Sequence, residues 1–500
     1  KTGTMRRAGS ATCHSLRKRR AADHVRHASV GAKSHEFGEY SPVDVLPLFK
    51  GLPPTVSMTD LPAPRMEMTR LASNGLRVAS QETYGELCNF GVFMDGGSRT
   101  ETHETTGATQ LMELMAFKST LRRSHEQIHM DIADLGGTTT SFATRDLLMM
   151  NIEVLRENLE PAMEVLGESL LIPQITVDEV EEMKTVMALQ LDQLPPETLM
   201  REAIHEAAFG RDSILGRPHY CPPDLIGNLN PRVLVEHRAQ YLQGPRMVLV
   251  GAGVEQAQFV THAEQYFGHI PPGTPSSDAK ELKAGSPYRG GEVRWSRQLP
   301  QNSEFTHVGL AWMSSWDTID DRVPLCVMQV LLGGGNSFSA GGPGKGMYSR
   351  LYRQVLNRHM GIDSAEAHVE ASGLFGIMGS CTPNYAEELV YAFSQQFAKL
   401  CYQKADDEEL SRAKNMLKCN VLTCLESPHM VFEDIGQQLL GDDAYMTPAE
   451  VCARIDDVTA DDLVRVASAA LSHGPPSVAC TGSDISYVPS QDTVKTWFRM

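Results

Sequence analysis

A single plan occurs twice along this 500-residue chain, at an offset of about 230 residues, and that repeat restricts the possible folds more than any other feature. In the first copy, DEVEEMKTVM (Asp178 to Met187) leads through a Pro-Pro step to EAIHEAAFG, ending at Gly210. In the second, EELSRAKNML (Glu408 to Leu417) leads through Ser427-Pro428 to EDIGQQLLG, ending at Gly441, so that Lys184 matches Lys414. Asn230 and Thr459 then stand where helix caps are wanted, ahead of PRVLVEHRAQYL and ADDLVRVASAAL, because their side-chain oxygens can accept the free amides of a first turn. A short apolar strand closed by glycine follows each helix: MVLVGAG (Met247 to Gly253) and SVACTG (Ser477 to Gly482). Four matches in register imply two copies of one domain.

Each copy opens on strand-like alternation, CNFGVFMDGG (Cys88 to Gly97) and THVGLAWMSS (Thr306 to Ser315), and continues into helices with 3.6-residue apolar spacing. Strands followed by packed helices predict an α+β fold of two homologous α/β-roll domains. The expected division is a basic arm over 1–35, a first domain over 36–270, a proline- and serine-rich linker over 271–287 and a second domain over 288–500.

Charge is unevenly spread. The net −17 includes an arm with nine Lys or Arg against one acid, which leaves the body at −25. An acidic body repels nucleic acid and attracts cationic ligands, while the Arg-rich, Ser-containing, acid-poor arm has the composition of a mitochondrial transit peptide. Ten cysteines without a CxxC pair predict reduced thiols, most of them buried. No apolar run approaches the ~18 to 20 residues that cross a bilayer, so a direct membrane span is not expected.

The stretch GATQLMELMAFKST (Gly107 to Thr120) resembles the zinc helix of the inverted-motif metallopeptidases, the family of the mitochondrial processing peptidase, whose pattern there is His-x-x-Glu-His. Two His four apart on a helix point the same way, a distal Glu completes three ligands, and the intervening Glu activates metal-bound water. In this chain Gln110 and Leu114 stand at the His positions, and by the family's spacing the distal carboxylate falls at Gln190; only Glu113 is kept. A neutral amide is a poor zinc ligand and a leucine is none, so neither a metal nor catalysis is expected here. A rival lies close by: His125, Glu126 and His129 spell HExxH, which would need helical context and a third ligand such as Glu153 or Glu157. The alternative is a solvated helix face beside Arg122 and Arg123.

The most specific segment runs Gly333, Gly334, Gly335, Asn336, Ser337, Phe338, Ser339, Ala340, Gly341, Gly342, Pro343, Gly344, Lys345, Gly346 and Met347. Half of residues 333–346 are glycine, so the backbone can change shape and lie closely along an extended peptide. It is not a phosphate cradle: Lys345 is followed by Gly346 rather than Ser or Thr, and Ser339 stands where a first P-loop glycine belongs. The run Leu331 to Tyr352 is similar to the glycine-rich loop of the family's alpha-type subunits, with Asn336 in place of a fourth glycine, a residue that tolerates left-handed backbone.

The resemblance spans most of positions 60 to 485. It implies a non-catalytic alpha-type subunit on the matrix side of the mitochondrial inner membrane, which carries no cofactor and pairs with a zinc-bearing beta-type partner. Such a subunit binds basic presequence peptides through the loop, with Lys345 and Met347 at positions associated with loop function. Asp406, Asp407, Glu408 and Glu409 are candidate presequence contacts, against a plain acidic helix start. The family also supplies core subunits of respiratory complex III, which makes a dual role the expectation, a purely structural core role the alternative, and an autonomous zinc peptidase built on His125, Glu126 and His129 the third reading.

Overall fold

The computed structural model describes residues 64–273, 285–296, 304–316, 318–337, 346–482 and 484–498. The arm over 1–35, much of the 271–287 segment and residues 338–345 lie outside these. The first half runs β1 (Met66–Arg70), β2 (Arg77–Gln81), β3 (Leu87–Met94), α1 (Ala108–Leu114), α2 (His125–Asp134), β4 (Thr138–Ala143), β5 (Leu148–Leu155), α3 (Leu159–Leu171), α4 (Val177–Gln193), α5 (Pro196–Phe209), α6 (Pro231–Tyr241), β6 (Met247–Ala252) and α7 (Gln256–Phe267). The second runs β7 (Glu292–Ser296), β8 (Thr306–Met313), α8 (Ile319–Leu332), β9 (Gly334–Asn336), β10 (Ile362–Val369), β11 (Leu374–Cys381), α9 (Ala386–Tyr402), α10 (Asp407–Cys424), α11 (Pro428–Asp442), α12 (Pro448–Asp457), α13 (Ala460–Ser472), β12 (Ser477–Gly482) and α14 (Gln491–Thr496).

The two sheets have one topology. Their orders are β1-β2-β6-β3-β5-β4 and β7-β12-β8-β11-β10-β9. In each, one parallel pair (β2 with β6, β7 with β12) is followed by antiparallel neighbours, so β2-β6-β3-β5-β4 corresponds to β7-β12-β8-β11-β10. The extra strands, β1 and β9, sit at opposite edges. The chain is thus two homologous domains of mixed helix and sheet, as the repeat implies.

Local chemistry sets the repeated helices. Thr176 and Glu179 form a reciprocal capping box at the start of α4, Asn230 accepts the amides of Arg232 and Val233 at α6, and Thr459 with Asp462 caps α13. The matched lysines do matching work: Lys184 Nζ donates to the carbonyl of Leu229 at 3.1 Å and Lys414 Nζ to that of Asp456 at 2.9 Å. Each therefore ties its long helix to the chain just ahead of the next cap, at Leu229 before Asn230 and at the last turn of α12 before Thr459.

Every residue of β6 and β12 is buried, because each sheet is covered on both faces. One face of the first sheet packs Phe90, Val92 and Leu249 against Phe259 and Phe267 of its own half. The other face packs Phe93, Val248 and Val250 against Val431, Phe432, Ile435 and Leu439 of α11, which belongs to the second half. The exchange is reciprocal: α5 of the first half lays Met200, Ala203, Ile204 and Ala208 on Ala311, Met378 and Ala479 of the second sheet. Two glycines permit this contact, since a Cβ on Gly436 would fall 2.1 Å from the Phe93 ring and one on Gly309 2.5 Å from Ile204.

Candidate functional site

Helix α1 starts where the Glu101 carboxylate accepts the amides of Gly107 (2.9 Å) and Thr109 (2.7 Å), with Gly107 in left-handed backbone at φ 88°. Burial pushes Glu101 up to about 7 against the pull of those amide bonds. One turn on, Gln110 is buried; its Oε1 accepts the amide of Cys221 at 2.9 Å and its Nε2 donates to Gln190 Oε1 at 3.4 Å. The structure thus brings together two residues 80 positions apart, the pair that the family's spacing singles out, and joins them by a neutral amide-amide bond. Leu114 packs with the apolar group that includes Leu111, Met183 and Met187. The Glu113 carboxylate accepts the amide of Ala143 at 3.1 Å, and burial pushes it up to about 7. Two engaged amides and a leucine offer no anionic or imidazole donor, so this set does not fit zinc.

The HExxH pattern does begin a helix: Ser124 caps α2 by accepting the amide of Gln127 at 3.2 Å. The rings of His125 and His129 lie 4.3 Å apart. However, the Lys118 ammonium sits 3.4 Å from His125 Nε2, and His125 Nδ1 lies 3.3 Å from the carbonyl of Phe117. A lysine at the ring nitrogen is a poor neighbour for a bound cation. Glu126 and His129 are exposed, as are Arg122 nearby and Glu157, while Glu153 lies within 3.4 Å of Asn89 Nδ2. Among the described residues, no three His, Cys, Asp or Glu side chains are placed to share a metal ion.

The glycine-rich segment is not loop throughout. Gly333 (φ 57°) ends α8, donating its amide to Gln329, and Gly334 (φ 135°) and Gly335 (φ 151°) enter β9, where Gly334 pairs with Glu366 and Asn336 with Ser364 of β10. A Cβ on Gly334 would fall 2.0 Å from the carbonyl of Ala365, so that position needs glycine for space as well as for φ. Asn336 adopts no positive φ, so the asparagine is not called on to take left-handed backbone. Phe338 to Lys345 lie outside the described residues. The far stem resumes at Gly346 (φ 77°), whose carbonyl accepts the amide of Ser349, and Met347 packs partly buried against the second-half core.

The acidic run holds this stem. Asp406 caps α10 by accepting the amide of Glu409 at 2.7 Å, and Glu408 pairs with Arg412 at 2.9 Å. Glu409 takes both Nε and Nη2 of the buried Arg350, each at 2.7 Å. Glu409 is therefore engaged in fixing the segment that follows the glycines, an ion pair that sequence spacing gave no reason to expect.

Comparison with known proteins agrees with this geometry. The Insulinase (Peptidase family M16) model matches residues 77–223 and the Peptidase M16 inactive domain model residues 228–417. The mitochondrial-processing peptidase subunit alpha of Homo sapiens is 34% identical over 439 residues, covering 85% of this chain and 83% of that one. Among solved structures, a protease from Helicobacter pylori superposes with a TM-score of 0.73 at 18% identity over 84% of this chain and all of that one. A chain of complex III2 from Candida albicans, with Inz-5 bound, gives 0.72 at 17% over 87% of this chain and all of that one. The two structural matches speak to fold alone, whereas sequence identity of this extent over most of both chains places the protein in peptidase family M16, as a non-catalytic member of the mitochondrial-processing peptidase alpha-subunit line.

Proposed function

We propose that this chain is the substrate-binding, alpha-type subunit of a mitochondrial processing peptidase, paired on the matrix side of the inner membrane with a zinc-bearing beta-type partner, and that it also serves as a core subunit of respiratory complex III. The observation that carries the reading is the contrast between two sites on one chain. Where the family's pattern places metal ligands stand a bonded amide pair and a leucine. The glycine segment, by comparison, keeps its motif apart from Asn336 and has two stems, β9 on one side and the Arg350–Glu409 pair on the other. A body charge of −25 favours encounter with basic presequences over long range. The second role follows from the family resemblance, whose members include core subunits of complex III; the complex III2 chain adds a shared fold and no more.

Removing residues 338–345 and bridging the stems with two glycines leaves β9 and Arg350 in place. In the assembled pair, KM for a presequence peptide is expected to rise by roughly tenfold, about 1.4 kcal/mol of binding, while co-purification with the partner is retained. Unchanged cleavage would overturn presequence binding by the segment and favour the purely structural core role.

A further inference from the structure

On the face of the second sheet covered by α5, residues from neighbouring strands fall into two cross-strand rows. One runs His307, Ser380, Ser364, Asn336; the other runs Gly309, Met378, Glu366, Gly334. The close approach of Gly309 to Ile204 fixes which face this is. Where the rows meet the first turn of α5 they leave a cavity of about 240 Å³, room for one long side chain, lined by Glu197, Met200, His307, Asn336, Ser364 and Glu366 among others.

The chemistry of the lining is one-sided. Glu197 and Glu366 are exposed and, among the described residues, pair with no Lys or Arg. His307 is 7% exposed, and its Nε2 is buried without a hydrogen-bond partner among those residues. Burial lowers the pKa of this imidazole, against the opposing pull of Glu197 and Asp363, which leaves it neutral and able in its Nδ1–H tautomer to present Nε2 as an acceptor. Ser380 and Ser364 share a hydrogen bond of 2.7 Å, and Ser380 also lies 3.2 Å from Asp363 Oδ2. An orphaned buried nitrogen in a cavity also lined by two exposed carboxylates, which have no basic partner among the described residues, calls for a cationic group with several N–H donors. Met200 and Met378 offer an apolar wall for an aliphatic stem. Arginine has both parts, and its planar fork donates in more directions than an ammonium.

We propose that this cavity receives an arginine side chain of a bound basic peptide, its guanidinium between Glu197 and Glu366 and within reach of His307 Nε2. The inference rests on the presequence-binding reading and adds a specificity pocket to it. The chain spans more than 160 residues between Glu197 and Glu366, and no motif joins them, so only the exchange of α5 onto the second sheet creates the site.

The test uses the chain assembled with its beta-type partner and a set of presequence peptides in which each arginine in turn is replaced by citrulline, its neutral isostere. The Glu197→Gln/Glu366→Gln double variant, altered only at exposed positions, is expected to raise KM for the all-arginine peptide by about tenfold with kcat unchanged. For one citrulline position the peptide should already bind weakly and show no further loss with the variant, the non-additivity that marks a direct contact. An equal loss at every citrulline position, or no loss at all, would overturn the proposal. If the 338–345 deletion weakens cleavage while the double variant does not, the cavity assignment fails alone; if neither matters, presequence binding by this chain fails with it.

Discussion

Replacing Phe432 by alanine is expected to destabilise the chain by roughly 3–5 kcal/mol, a large part of the stability of an ordinary domain. Phe432 is fully buried on α11, with its ring centroid 4.8 Å from that of Phe93 on β3. Around the two rings lie Val248, Val250, Ile435 and Leu439, so truncation opens a cavity that a sheet and a helix held from opposite ends cannot readily close. The effect should reach beyond one domain, because α11 comes from the second half and its contact with the first sheet helps to join the domains. Urea titration of the variant would check this. A loss below about 1 kcal/mol would show that the exchanged helix does not carry that face.

Acid should unfold the chain steeply, with about two protons taken up. Burial holds four histidines neutral in the folded state: His219 and His237 are lowered to about 4, His368 to about 3, and His205, beside Arg145, well below its usual value. Unfolded, all four titrate near 6.5. Their contribution is therefore present above pH 6.5 and is lost as pH falls toward the folded values. Glu101 and Glu113 act in the opposite sense: raised from 4.5 to about 7, they keep their protons in the folded state where the unfolded chain has released them. Near pH 5.5 unfolding lets these six groups gain four protons and give up two, so by themselves they lower stability by ~2.7 kcal/mol for each pH unit lowered; His307, lowered by burial, acts in the same sense, and Glu206, Glu370 and Asp434, raised by burial, in the opposite one. Denaturant titrations at pH 5 and pH 6 read this slope directly. A flat profile, or greater stability at pH 5, would mean that these histidines are not buried neutral.

Much of the fold is legible in the sequence because its signals are local. Asn230 and Thr459 cap the helices they precede, and the alternation from Cys88 and from Thr306 lies in central strands, since caps and strand faces depend on near neighbours. The helix exchange is not legible: the spacing in EAIHEAAFG demands a buried face but does not say which sheet supplies it. Nor is the strand character of Gly334 to Asn336, because glycine has little strand preference and β9 exists through pairing to β10. At the metal position, spacing borrowed from the family pairs Gln110 with Gln190, and their hydrogen bond is visible only in three dimensions. The HExxH pattern shows the limit of a motif, for nothing in its five residues records that Lys118 will sit against His125. His307, Glu197 and Glu366 carry no sequence signal at all, because separate elements bring them to one cavity.

Zinc content and presequence cleavage, measured on the purified chain alone and again after assembly with its beta-type partner, address the division of labour most directly. The expected result is no stoichiometric zinc and no cleavage by the chain alone, with both appearing in the pair. One zinc per isolated chain, together with unaided cleavage, would contradict the account.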